Sequence, residues 1–533
     1  MKTKTCFIVC VAWMVHVDVY AKDYYVDPLK GSSSFTGTQE QPWRTLEEVF
    51  KVSRFFSPGD RIFLRRGYHG TPTVTGVNTG MVSILAEEGH TPVFKWIRFS
   101  NAQKWHLQDV FIHAGAGVRD GQSALLEFIN NSHENEVYNV WMGSTAMPWG
   151  WEGDQKAWLA QQKTGVLITS GRGNRIHGVH VMNVGNAMVV GTVDNIVEYN
   201  TVENFSRDGF VANGNNTIWQ YNTLLNAVIA DENGPSNPVH RDMFQTWNGA
   251  KTKMVIRGNT FISSVDVSKK FIDPRIPVLA LWDGPFSGYL IENNVIFTDN
   301  GAGIWMNAGT NNTIAHNTCT RVSSQSLREW PLIKIGQKTA SSKKSSNNVV
   351  YNNIADGFSF LNNDNSSSVS FNQNNLVVRR DKYTQMFLKQ TFPHRDVRLS
   401  KNALMALDKG SVLSSASFDA DMYERKQSAP DIGAYEYGAF VAADTQAPTL
   451  PEFVSVVQVP ALGYDISWKS SSDNRWVAGY DVYRNGVHVG RTRSGTHFFD
   501  LTTLVPYTQY TVVAFDASSN KSIPSAAVLS LLP

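Results

Sequence analysis

A short phrase ending in asparagine recurs through the middle of the chain. It reads Ile196–Val197–Glu198–Tyr199–Asn200, Ile218–Trp219–Gln220–Tyr221–Asn222 and Val255–Ile256–Arg257–Gly258–Asn259. It returns as Leu290–Ile291–Glu292–Asn293–Asn294, Thr313–Ile314–Ala315–His316–Asn317 and Val349–Val350–Tyr351–Asn352–Asn353. The asparagines are spaced by 22, 37, 35, 23 and 36 residues. The short spacings suit one coil of a β-solenoid, and the long ones one coil plus an inserted loop. Asparagine suits the turn of such a coil because it tolerates left-handed backbone and bonds to a stacked copy of itself. The fold expected is all-β: a solenoid of parallel coils.

The chain's 533 residues exceed one ordinary domain. A net charge of +2 argues against a partner held by bulk charge, so no nucleic acid is expected. Residues 1–21 read as a secretory signal: Lys2 and Lys4, an apolar run from Cys6 to Val15, then Val19–Tyr20–Ala21. Export is expected, with a mature start near Lys22 and a secreted or cell-surface location. No later stretch is apolar enough to span a membrane. Loss of Cys6 and Cys10 with the signal leaves Cys319 and no internal disulfide, so the core must hold the fold. Cys319 is expected to be a buried small residue rather than a nucleophile.

Before the repeats, Tyr24–Tyr25–Val26–Asp27–Pro28 reads as a strand. Gln41–Pro42–Trp43–Arg44–Thr45–Leu46–Glu47–Glu48–Val49–Phe50 ends in a short amphipathic helix that caps the open coil. These phrases, the Pro58–Gly59–Asp60 turn and the asparagine-ending coils resemble the right-handed parallel β-helix proteins of the pectate-lyase-like superfamily. The likeness runs over residues 22–440 and includes Pro430–Asp431–Ile432–Gly433–Ala434–Tyr435–Glu436–Tyr437–Gly438, which resembles a closing strand. It implies a secreted protein acting on polysaccharide, as lyase, hydrolase or epimerase, or a non-catalytic glycan-binding protein. A linker is expected at 441–450. Residues 451–533 resemble a fibronectin type III β-sandwich, with Trp468 in its core, a hairpin turn at Arg484–Asn485–Gly486 and Tyr510 as the tyrosine corner. A monomer is expected.

The chemistry points to two segments, Ser206–Arg207–Asp208–Gly209–Phe210 and His240–Arg241–Asp242–Met243–Phe244–Gln245–Thr246–Trp247. Aligning Phe210 with Phe244 places Asp208 beside Asp242 and Arg207 beside Arg241, one coil apart. Coils stack about 4.8 Å apart, so the carboxyls become neighbours and one pKa must rise unless a cation intervenes. Such a pair can act as acid and base on a glycosidic bond. It can equally hold Ca²⁺, with Asp231 and Glu232 as further ligands. Gln245, Trp247, Trp282, Asp283, Trp305 and Lys334 are expected along the same face, with Asp283 at nearly the same place in its strand as Asp242. Trp149 and Trp151, in a Trp-rich loop at 139–162, are expected over the groove as sugar platforms. The coupling of cations to carboxylates inclines the reading to β-elimination on a uronate polymer. There His240 takes the C5 proton, while Arg241 and Lys334 neutralise the sugar carboxylate. The alternative is hydrolysis by Asp208 and Asp242. No nucleotide-binding, zinc-protease or serine-hydrolase motif is present.

Overall fold

The computed structural model describes residues 21–52, 54–115, 123–144, 162–229, 241–247, 249–265, 272–322, 330–389, 396–412, 416–426, 428–438, 445–459, 463–474, 477–492, 496–500, 507–516 and 520–530. The expected signal segment therefore lies outside the described residues.

The chain forms a right-handed parallel β-helix. Among the described residues three long ladders of short parallel strands run along it, beside a shorter one through Lys251–Thr252, Phe286–Ser287 and Gly309–Thr310. One ladder passes through Met188–Val190, Phe210–Ala212, Phe244–Gln245, Leu279–Leu281, Ala302–Asn307 and Leu332–Gly336. A second stacks the repeated phrase in register: Ile196, Ile218, Val255, Leu290, Thr313 and Val349 lie above one another. The third ladder has 12 strands, from Gly67–Tyr68 to Leu376–Val377. Inward residues such as Ile176, Val197, Trp219, Ile256 and Ile291 are buried, and they form one continuous core with Phe210 and Phe244.

The asparagines form a buried ladder. Asn200, Asn222, Asn259, Asn294, Asn317 and Asn353 each donate a side-chain N–H to the next amide oxygen at 2.8–3.0 Å, ending on Asn375. The same oxygens accept the backbone N–H of the asparagine below. Satisfying buried amides in both directions is what fixes the residue type. The left-handed position differs from expectation. Positive φ falls on the preceding residue: Tyr199 (55°), Tyr221 (55°), Gly258 (63°), Asn293 (57°), His316 (55°) and Asn352 (56°). The ladder asparagine is kept by hydrogen bonding, not by backbone tolerance.

The N-terminal helix is Leu46–Lys51, capped by the Thr45 side chain, with Leu46 and Val49 buried. Residues 139–144 are no loop, contrary to expectation. Trp141–Gly143 is a ladder strand in register with Phe111–His113 and His180–Met182. Residues 430–438 do not form a closing strand either. Asp431 and Glu436 are buried, and Glu436 pairs with the equally buried Arg425 at 3.3 Å; Arg425 also bonds Asn293 and the carbonyl of Gly433. Caging a buried guanidinium requires turns that bring carbonyls and carboxylates around it, which an extended strand cannot do. Cys319 is buried in the core, and burial pushes its thiol well up.

Residues 452–529 form two antiparallel sheets of three and four strands. Trp468 and Tyr480 pack at 5.1 Å in their core, and Asn485 and Gly486 both take positive φ in the hairpin turn. The Tyr510 hydroxyl donates to the Asp500 carboxylate at 2.8 Å, where a tyrosine corner would bond backbone. Phe499 stacks on Phe111 of the β-helix, ring centroids 3.7 Å apart.

Candidate active site

Phe210 pairs with Phe244 and Val211 with Gln245, so Asp208 and Asp242 enter adjacent strands at equivalent positions. Both phenylalanines are fully buried and anchor the register. Gly209 between them is sterically required: a Cβ there would lie 2.5 Å from the Met243 carbonyl. Met243 is buried in the core.

The two carboxyls stand in different surroundings. Asp208 is half-buried. Its Oδ1 accepts the backbone N–H of Asp242 at 3.0 Å, and its Oδ2 accepts the Gln245 side-chain amide. Donors of this kind favour the ionised form. Asp242 has no exposed surface. Burial, then the charge of Asp208, then that of Asp283, push its carboxyl up to about 8. A carboxyl raised in this way is what two like charges sharing a site produce.

Arg241 is mostly buried, with Nη2 3.5 Å from the Asp273 carboxylate. That contact comes from a segment 32 residues on, and it draws the guanidinium into an ion pair of its own. Arg207 is half-buried and donates its backbone N–H to the Gly185 carbonyl. His240, Asp231, Glu232, Trp149 and Trp151 lie outside the described residues.

The outward row from Gln245 continues through Ala280, Trp305 and Lys334 to Ser359. The Trp305 Nε1 donates to Asn307 at 3.1 Å, and Trp282 meets the ring edge-on at 6.0 Å. The Lys334 ammonium lies over the Trp305 ring, 3.9 Å from its centroid. Trp247 is 44% exposed and carries its backbone N–H to Asn213 at 2.9 Å. It sits at the same offset from Phe244 as Trp282 from Leu279, so both tryptophans leave their strands on the same side. Asp283 does not occupy the place expected of it. It follows its strand, where Asp208 and Asp242 precede theirs, and it pairs with Lys338 at 2.6 Å on the exposed rim.

Lys334 is three ladder steps from Gln245, about 14 Å at the usual strand spacing. It therefore cannot share a substrate carboxylate with Arg241 beside the acid pair. Calcium takes about six to eight oxygens. Each Asp208 oxygen accepts one N–H donor and keeps a further lone pair. Among the described residues no three His, Cys, Asp or Glu side chains are grouped to hold a metal. Two of the expected Ca²⁺ ligands, Asp231 and Glu232, lie outside the described residues.

No family model matches the sequence. Exoglucanase B of Cellulomonas fimi is 47% identical over 87 residues, which is 16% of this chain and 8% of that protein. The chain thus spans under a tenth of that relative's length. Among solved structures, GH136 lacto-N-biosidase from Eubacterium ramulus matches with a TM-score of 0.39 and 12% identity, over 67% of this chain and 68% of that one. Pectate lyase Pel9A matches with a TM-score of 0.33 and 17% identity, over 78% and 96%. Likenesses this loose carry no argument about chemistry. Among the described residues no helix is long and apolar enough to cross a membrane.

Proposed function

We propose that the chain is an exported polysaccharide-degrading enzyme that cleaves glycosidic bonds by hydrolysis, with Asp242 as general acid and Asp208 as general base. The observation that carries this reading is the unequal pair: adjacent aspartates, one accepting N–H donors on both oxygens, the other raised to about 8. Glycoside hydrolysis needs one proton donor and one carboxylate across a sugar. Asp242 protonates the leaving oxygen, and Asp208 accepts a proton from the attacking water. Because Asp242 presents no surface to solvent, productive binding includes an opening of the site. Residues 451–533 serve as an accessory module of fibronectin type III character. Names among the similar sequences, exoglucanase and chitinase, each matched over less than a fifth of this chain, are in keeping with a polysaccharide substrate.

β-Elimination has less support. It would rest on Arg241, which is committed to Asp273, and on His240. The two reactions leave different products. The secreted protein is incubated with a panel of plant, algal and animal polysaccharides, and reducing ends and ultraviolet absorbance are followed together. New reducing ends without the ultraviolet absorbance of a conjugated unsaturated uronate fit hydrolysis. Absorbance rising in step with the ends means elimination, and Asp242→Asn retaining full turnover removes the acid pair from the mechanism.

A further inference from the structure

Deepening the proposed hydrolysis, and resting on that reading for the position of the scissile bond, we propose that Lys334 on Trp305 forms a subsite for an anionic sugar unit away from the reacting bond. The polymer would then carry a carboxylate or sulfate about three strand steps, roughly 14 Å, from the acid pair.

The argument begins with unneutralised charge. Several other described cations have acidic partners. Arg98 pairs with Glu127 at 2.7 Å, Arg241 with Asp273 at 3.5 Å, Arg321 with Asp356 at 2.8 Å and Lys338 with Asp283 at 2.6 Å. Lys334 is half-buried on the outward row, and among the described residues no carboxylate lies within ion-pair distance of its ammonium. Burial alone moves its pKa, downward. A partly desolvated cation without an acidic partner is a standing cost, and an incoming anion would relieve it.

The platform beneath it is rigid. Trp305 is fixed by the Asn307 hydrogen bond and by the edge of Trp282, so the ring holds the ammonium in place by a cation–π contact. With its face covered by the lysine, Trp305 does not offer that face to a neutral sugar. An anionic group bridging to the ammonium is the ligand that uses both residues. Ala280 and Gln245 fill the row between this subsite and Asp208. The spacing is three strand steps, which sets the anionic unit apart from the reacting bond.

The test measures binding, not turnover. In the Asp242→Asn background, Lys334, Lys334→Met and Lys334→Arg proteins are run by affinity electrophoresis in polygalacturonate, alginate, chondroitin sulfate, carrageenan, xylan and mixed-linkage glucan. The expected result is binding of at least one acidic polymer, weakened about tenfold by Lys334→Met and largely restored by Lys334→Arg. The loss should shrink at about 0.5 M salt, and neutral polymers should be unaffected. Retention on carboxylated or on sulfated polymers identifies which anion is read. Equal binding with and without the lysine overturns the subsite. So does an equal loss on neutral polymers, or no acidic polymer held at all. Residual cleavage by Asp242→Asn would instead count against the acid pair, leaving the subsite to be judged on binding alone.

Discussion

Two aspartates, one in the β-helix and one in the C-terminal sandwich, are buried to the same degree and behave oppositely. Asp242 is 0% exposed and Asp481 is 1% exposed. Asp481 accepts from Arg491 Nε at 2.6 Å, from Lys521 at 2.8 Å and from His488 at 3.2 Å. Those partners outweigh burial and hold its carboxyl well below the usual range. For Asp242, burial, the charge of Asp208 and that of Asp283 among the described residues all raise it. Burial alone does not decide whether a carboxyl is structural or chemical; the charges around it do. Asp481 clips strands together, whereas Asp242 stores a proton at neutral pH.

The largest expected effect is on turnover. Asp242→Asn and Asp208→Asn should each lower kcat on the cleaved polysaccharide by about a thousandfold. Asp481→Asn should leave kcat unchanged, which steady-state assays of the three variants would check. Next comes stability. Asp481→Asn leaves Arg491 and Lys521 without their counter-charge and should cost about 3 kcal/mol at pH 7. A depressed carboxyl stabilises the fold above its unfolded pKa. The wild-type advantage should therefore fade as pH drops below about 4, as seen in denaturant melts across pH.

Asp242→Asn should do the reverse. A raised carboxyl favours the fold only at low pH, and that contribution disappears as pH rises from about 4 to about 8. At pH 7 the asparagine variant should be more stable than wild type by about 2 kcal/mol, with the gain vanishing near pH 4. A variant that is inactive and also less stable at pH 7 would make Asp242 a second Asp481. The smallest effect belongs to Asp283, whose exposed charge acts on Asp242 through solvent. Asp283→Asn should move the alkaline limb of the pH–activity curve down by about 0.3 units.

Much of this architecture was legible in the residues. The asparagine phrase gave one ladder in register, because a buried amide that must bond in both directions leaves a strong periodic trace. The Asp208–Asp242 neighbourhood was legible too, since the phenylalanine two residues after each is an inward anchor. What escaped depends on distant contacts. Arg241 read as a groove cation until Asp273 came beside it from beyond an insertion. Trp141 read as part of a loop because tryptophans and glycines follow it, yet it lies in the third ladder under Phe499 of the sandwich. Residues 430–438 read as a strand because nothing local shows that Arg425 is buried among them. The rise of Asp242 was foreseeable in kind, from two adjacent like charges. Its size comes from burial, which no local pattern records.

The central claim is that Asp242 is protonated in the folded enzyme at neutral pH. Infrared difference spectra between wild type and Asp242→Asn, recorded across pH, measure this directly. The account predicts a protonated carboxyl carbonyl band at pH 6 that belongs to Asp242 and disappears with a midpoint near 8. A wild-type spectrum that shows only an ionised carboxylate at that position from pH 5 upward would contradict it.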